Sequence, residues 1–189
     1  SGRRNIATDL ASAALRRDFD FSGYQYHSTV IDEYAVNWKA FIEVYLEDYH
    51  VVPFHPGLGQ FVDCDRLKWE FGDWYSVQTV GTFQQLGKPG TPTYQRWHEA
   101  VLKYYGGQTP PHGAIWLTYY PNIMVEWYPH VLVISTILPR GPEACTNVVE
   151  FYYPEDIALF EPEFVEAEQA AYAETAVEDR EICERMQEG

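Results

Sequence analysis

Cysteine is scarce and scattered. The 189 residues hold three, Cys64, Cys145 and Cys183, with no Cys-x2-Cys pair. That excludes a disulfide framework and a zinc finger. Reduced thiols in a bacterial-type cytoplasm are the expectation. Positive charge is also in deficit: 13 Lys and Arg face 28 Asp and Glu, a formal net charge of -15. Phosphate binding needs a surplus of Lys and Arg, so nucleic acid is excluded as a partner. An anionic membrane surface is disfavoured for the same reason. No signal peptide and no long apolar run is present, so the chain reads as soluble. No internal repeat or low-complexity tract stands out. The length suits one domain, residues 1–189, with a substantial core. The opening Ser1-Gly2 reads as a tag remnant, which makes the chain a piece cut from something longer.

What the chain has in quantity is aromatic surface: 6 Trp, 15 Tyr and 10 Phe. These suit aromatic-lined strands and an aromatic-lined cavity. Residues 3–19 read as helix and 20–36 as extended. From Asn37 to His50 the apolar positions Trp38, Phe41, Ile42, Tyr45, Leu46 and Tyr49 recur at steps of three and four, a buried helical stripe. Alternation then predicts strands at 69–71 and 75–83, with Gly72-Asp73 as the turn. A short amphipathic helix is expected at 93–105, inside a Gly- and Pro-rich insert at 84–113 that is a candidate lid. Strands follow at 114–120, 123–128, 131–138 and 146–153, separated by Pro-containing turns, which make an antiparallel meander. The helical period returns over 161–187. The order of elements is α+β, a curved antiparallel sheet with helices on one side.

Two histidines and one acid break this pattern. Pro53 cannot continue a helix and pushes Val52 toward an extended conformation. His50 is therefore expected near the helix end and His55 in the loop beyond. On an unbroken helix these two would diverge by about 140°; a break lets both imidazoles face one point, a common way to hold a transition metal. Residues 161–189 carry ten carboxylates against Arg180 and Arg185, mostly as a solvated face. Asp179 is the exception: it falls in the middle of the stripe formed by Tyr172, Ala176, Ile182, Cys183 and Met186, where a carboxylate is costly unless paired or metal-bound. Its neighbours Glu178, Arg180 and Glu181 are expected to point elsewhere. Glu168 projects to nearly the same side and competes for the role of third ligand. His27, His98, His112 and His130 read as ordinary polar or surface residues, with His112 a candidate for a pocket mouth. A set of His50, His55 and Asp179 would leave one face of Fe(II) open for dioxygen and substrate.

At these residues a family resemblance emerges. Asn37-Trp38-Lys39, Glu43, Tyr45-Leu46-Glu47, Tyr49-His50 and His55-Pro56 resemble the signature of the catalytic domain of Rieske non-haem iron oxygenases, the α subunits of ring-hydroxylating enzymes. The spelling is closest to the choline, carnitine and aromatic-carboxylate monooxygenase-like branch. Tyr120-Pro121-Asn122-Ile123-Met124, Ile137-Leu138-Pro139-Arg140-Gly141-Pro142 and the closing stretch Glu178–Gly189 continue the resemblance. It implies a helix-grip (START/Bet v 1-like) fold, with an antiparallel sheet wrapping a long C-terminal helix. It implies Fe(II) on His50, His55 and Asp179, and aromatic hydrocarbon catabolism as a setting. It further implies Glu47 as the contact toward a cluster-binding histidine of a neighbouring subunit, with Asp48 as its substitute, and a homotrimer.

Two departures matter. A Rieske [2Fe-2S] centre needs Cys-x-His and Cys-x2-His pairs, and Cys64, Cys145 and Cys183 have no such neighbours. The cluster is expected on another domain or subunit, fed by a ferredoxin or reductase. Many relatives also carry Asn six residues before the first histidine, where this chain has Val44. The expected function is an oxygenase domain hydroxylating an aromatic or other small organic substrate with O2, its pocket lined by Phe54, Trp116, Tyr119 and Trp127. The alternatives are a non-catalytic helix-grip module for an apolar ligand, and a zinc hydrolase with Glu47 or Glu43 as base.

Overall fold

The computed structural model describes residues 5–13, 17–83, 86 and 90–189. Seven strands form one open antiparallel sheet: β1 Tyr24–Tyr34, β2 Val62–Phe71, β3 Tyr75–Thr82, β4 Ala114–Tyr119, β5 Ile123–Tyr128, β6 Val131–Gly141 and β7 Ala144–Pro154. Their spatial order is β1-β7-β6-β5-β4-β3-β2. Strands β2 to β7 are thus a meander, and β1 adds to its last strand. Helices α1 Ile6–Asp9, α2 Trp38–Val44, α3 Val51–Phe54, α4 Pro92–Tyr104, α5 Glu155–Phe160 and α6 Pro162–Glu188 complete the α+β, helix-grip-like architecture. No described helix is long and apolar enough to cross a membrane.

The sheet is covered on both sides. Ile115, Leu117, Tyr119 and Trp127 pack on one face with Val77 and Ala13, against Leu10, Phe19 and Phe21 of the N-terminal segment. The other face, with Val131, Val133, Val149 and Phe151, meets Phe164, Val165 and Ala171 of α6 and Trp97 and Val101 of α4. A second inner cluster joins Phe41, Ile42 and Val44 of α2 to Met124, Ile137 and Cys183. Polar ties fix the long helix in place. Tyr94 Oη lies 2.7 Å from Thr175 Oγ1, and Thr91 Oγ1 donates to Glu174 at 2.7 Å. Arg180 donates to the Glu33 carbonyl at 2.7 Å and lies over the Tyr34 ring.

Three expectations change. The N-terminal helix over 3–19 reduces, among the described residues, to α1 and a 3-10 turn at Arg17–Phe19. Pro53 does not break a helix; it sits within the single turn of α3, whose first amide nitrogens need no helical acceptor. The break falls earlier, at Tyr45, whose carbonyl takes a hydrogen bond from Gln78 Nε2 at 2.9 Å. Helix α5 was not foreseen.

Phe41 is fully buried between α2 and the sheet. Phe41→Ala is expected to cost about 3–5 kcal/mol of stability in urea denaturation; a loss below about 1 kcal/mol would show that α2 is not docked by this contact.

Candidate metal centre and its cavity

His50 stands immediately before α3 and His55 immediately after it. Val51 between them is buried, whereas Val52 and Phe54 are exposed. His55 leaves helical geometry at φ -115° and ψ 83°, and the two imidazoles on either side of the turn face each other. Their ring centroids are 5.1 Å apart, with planes at 74°. The loop beyond packs closely on α4: a Cβ at Gly57 would come within 2.1 Å of the Tyr94 ring, so only glycine lets His55-Pro56 approach there.

Helix α6 brings the carboxylate. Asp179 is 4% exposed and His55 is 0% exposed. Asp179 Oδ1 is 3.0 Å from His55 Nε2 and 3.5 Å from His50 Nε2. Despite that proximity, His55 Nε2 and Asp179 Oδ1 have no aligned hydrogen-bond partner. Buried polar atoms rarely stay so. The three residues offer ligand atoms that all lie within 4.8 Å of one another. Two donors about 2.1 Å from one metal, at right angles, lie about 3 Å apart. The donor set therefore fits a divalent transition metal.

The opposite ring nitrogens are already taken. His50 Nδ1 bonds Glu47 Oε1, and Glu47 Oε2 accepts from the Tyr49 amide at 2.5 Å. His55 Nδ1 bonds Glu178 Oε2 at 2.7 Å. A carboxylate on Nδ1 holds its proton there and leaves Nε2 as a lone pair facing the centre. Burial alone would make both imidazoles harder to protonate. Asp179, with Glu47 beside His50 and Glu178 beside His55, outweighs that and raises both affinities for a proton. Burial likewise opposes ionisation of Asp179, and the two imidazoles outweigh it and lower its pKa. The cluster is built to hold positive charge.

Glu178 is a correction to the sequence reading, which pointed it away from the site. It follows Val177 on the exposed side of α6, but its side chain is long enough to reach back to His55. Glu168 is buried, but it accepts from Tyr153 Oη at 2.5 Å and is not in the triad's group.

A cavity opens beside the triad between α6, α4 and the inner faces of β4 and β5. Its lining includes Glu47, His50, Asp179, Val44, Trp116 and Tyr172. Of the four aromatic residues expected to line it, only Trp116 does. Tyr119 and Trp127 have the opposite strand parity and pack under the N-terminal segment. Phe54 is exposed beside Ile182 and Met186. Their places are taken by Tyr94, Trp97 and Tyr128. His112 also lies on the outer side, near Asp18 and Trp127. The proposed lid supplies α4 as a cavity wall, while 84–85 and 87–89 fall outside the described residues. Glu126 was missed; its signal was a lone acid in the apolar strand Ile123–Tyr128.

The profile of the ring-hydroxylating alpha subunit catalytic domain matches residues 20–189. This chain belongs to that family. It is 65% identical over 188 residues to a putrescine 2-hydroxylase of Ralstonia nicotianae, covering 100% of this chain and 52% of the relative. A putrescine 2-hydroxylase of Bordetella bronchiseptica is 56% identical, covering 100% and 44%. The chain thus spans about half the length of the curated relatives it matches. A crystal structure of the quaternary ammonium Rieske monooxygenase CntA superposes with TM-score 0.76 at 16% identity, over 100% of this chain and 46% of that one. The family and fold expected from the sequence are both present. Aromatic hydrocarbon catabolism is not supported, because these relatives are named for putrescine and quaternary ammonium compounds.

Because Glu178 orients His55, Glu178→Ala is expected to weaken binding of a divalent transition metal about 10- to 100-fold in equilibrium dialysis. Unchanged affinity would remove Glu178 from the site.

Proposed function

We propose that this chain is the oxygen-activating domain of a monooxygenase that hydroxylates a short aliphatic diamine of the putrescine type. One observation carries the reading. Two imidazoles and a buried carboxylate converge at one end of a cavity, with both Nδ1 atoms tied to carboxylates and two buried donor atoms left unpaired. The names of the two relatives support the substrate class.

His50, His55 and Asp179 would hold Fe(II). The iron supplies dioxygen activation there, since a two-His-one-carboxylate set leaves coordination positions open. The balance is that of a monooxygenase: one oxygen atom enters a C–H bond, the other leaves as water, and two electrons and two protons are consumed. The chain's own residues orient and enclose. Glu47 and Glu178 hold the imidazole tautomers. Aromatic walls from α4, β4 and α6 keep the carbon chain of the substrate apart from bulk water. The electrons come from a Rieske [2Fe-2S] cluster on a further domain or subunit, served by a ferredoxin or reductase. The side chain of Glu47 is 32% exposed while it bonds His50, which suits contact with a donor docked on that surface. A homotrimeric, cytoplasmic enzyme agrees with the family resemblance and with the three free thiols.

The rivals fit less well. An apolar-ligand carrier leaves the doubly buttressed histidines unexplained. A zinc hydrolase needs a free carboxylate base, but Glu47 is occupied by His50 and two amides, and Glu43 is exposed on the other side of α2.

Anaerobic loading tests the centre. The chain is expected to take up about one Fe(II), and His50→Ala, His55→Ala and Asp179→Ala to lose most of it. Glu168→Gln is expected to retain it. Full iron in Asp179→Ala with loss in Glu168→Gln would transfer the third ligand to Glu168.

A further inference from the structure

We propose that Glu126 and Glu168 form an ammonium-binding subsite at the end of the cavity remote from Asp179, and that this pair sets which carbon of the substrate lies beside the metal ligands. The inference rests on the diamine reading above and assigns residues that reading leaves open.

Both carboxylates line the same cavity as Asp179. Glu126 is 4% exposed and Glu168 is 3% exposed. Among the described residues no Lys or Arg lines the cavity. The partners these acids have are neutral. Glu126 accepts from Tyr172 Oη at 3.2 Å and from Tyr128 Oη at 2.9 Å, and Tyr128 in turn accepts from Trp116 Nε1 at 3.1 Å. Glu168 accepts from Tyr153 through Oε2. Two buried carboxylates without a cation are a deficit that a bound cation removes. Tyr94 and Trp97 line the same space, and an aromatic face turned to a cation there would favour it further.

The acids behave accordingly. Burial pushes Glu126 up to about 7, and burial together with the charge of Glu126 pushes Glu168 up to about 8. The other titratable groups facing them are Tyr45, Tyr94, Tyr128, Tyr153, Tyr172 and, beyond, Asp179. The five phenols are pushed up by burial and stay protonated.

Spacing along α6 completes the argument. Tyr172, which holds Glu126, is seven residues from Asp179, and Glu168 is eleven. At 1.5 Å per residue these levels lie about 10 Å and about 16 Å from Asp179 along the helix axis. A four-carbon diammonium spans about 6 Å between its nitrogens. Anchored by one ammonium at the Glu126–Glu168 level, its carbon chain extends toward Asp179. Its free end then falls about 4 Å short of the Asp179 level from Tyr172 and about 10 Å short from Glu168, so the anchor sets how far the substrate reaches toward the centre.

The test is calorimetric binding of 1,4-diaminobutane to the full-length enzyme. Glu126→Gln and Glu168→Gln are each expected to raise Kd about tenfold or more, with iron content unchanged. Wild-type binding in both variants overturns the subsite and leaves the diamine reading standing. Absence of diamine binding by the wild type overturns the diamine reading itself. A second measurement needs no variant. At pH 7 the wild type is expected to release roughly one proton per diamine bound, because the protonated carboxyls ionise when the cation arrives. The observed enthalpy then varies with the buffer's ionisation enthalpy. Equal enthalpies in phosphate and Tris overturn the subsite even if neither variant folds.

Discussion

The structure turns on one carboxylate buried in the middle of a helix. Asp179 lies on α6 with an oxygen that no hydrogen bond satisfies, a placement that costs free energy unless something charged compensates. The helix cannot rotate the group into water. Phe164, Val165 and Ala171 anchor its first half in the core, Thr175 and Glu174 tie its middle to α4, and Arg180 and Cys183 hold its second half. The Asn37 amide donates to Gln187 Oε1 at 2.8 Å at its far end. Packing over 27 residues thus outweighs one unfavourable position. The two imidazoles opposite would make that position part of a metal centre on the proposed reading, each braced by an acid on its far nitrogen.

Much of this was legible because the signals were violations of a period. An Asp in an apolar helical stripe and two histidines around a proline are visible in a string of letters. So was the meander, since Pro-containing turns punctuate it. Glu178 was not legible. A helical projection assigns a residue by its Cα direction, and a long side chain next to the buried stripe can bend back into it. The wrong assignments of Tyr119 and Trp127 have a different origin. Both faces of β4 and β5 are covered, so both parities are apolar, and the letters carry no sign of which parity faces the cavity. Trp116 and Trp127 look equivalent in sequence and lie on opposite sides of the sheet. Pro53 misled because a one-turn helix has no interior for a proline to disrupt.

The distribution of acid carries the functional distinction. A formal charge of -15 reads as solvation, and most of it is. Four carboxylates, Glu47, Glu126, Glu168 and Asp179, nevertheless line one cavity whose lining, among the described residues, includes no Lys or Arg. A neutral aromatic ring would gain nothing from them and would leave them buried without compensation. His50 and His55 offset part of that charge at one end; on the proposed reading a substrate cation would offset the other.

This places two opposing demands on one helix. Oxygen chemistry at a metal favours a dry, apolar enclosure, whereas capture of a small cation requires charge within it. Placing both at one level would let an ammonium group pair with Asp179 and compete with the metal for it. On the proposed reading helix α6 would separate them by rise: Asp179 would serve the metal, and Glu168, with Glu126 held through Tyr172, the far end. The stretch between carries the small residues Ala171, Thr175 and Ala176, and Tyr172, whose hydroxyl is held by Glu126. On the proposed reading, two acids eleven residues apart on one helical face would act as a length gauge. A substrate whose charge lies at the wrong distance from its reactive carbon would not satisfy both ends.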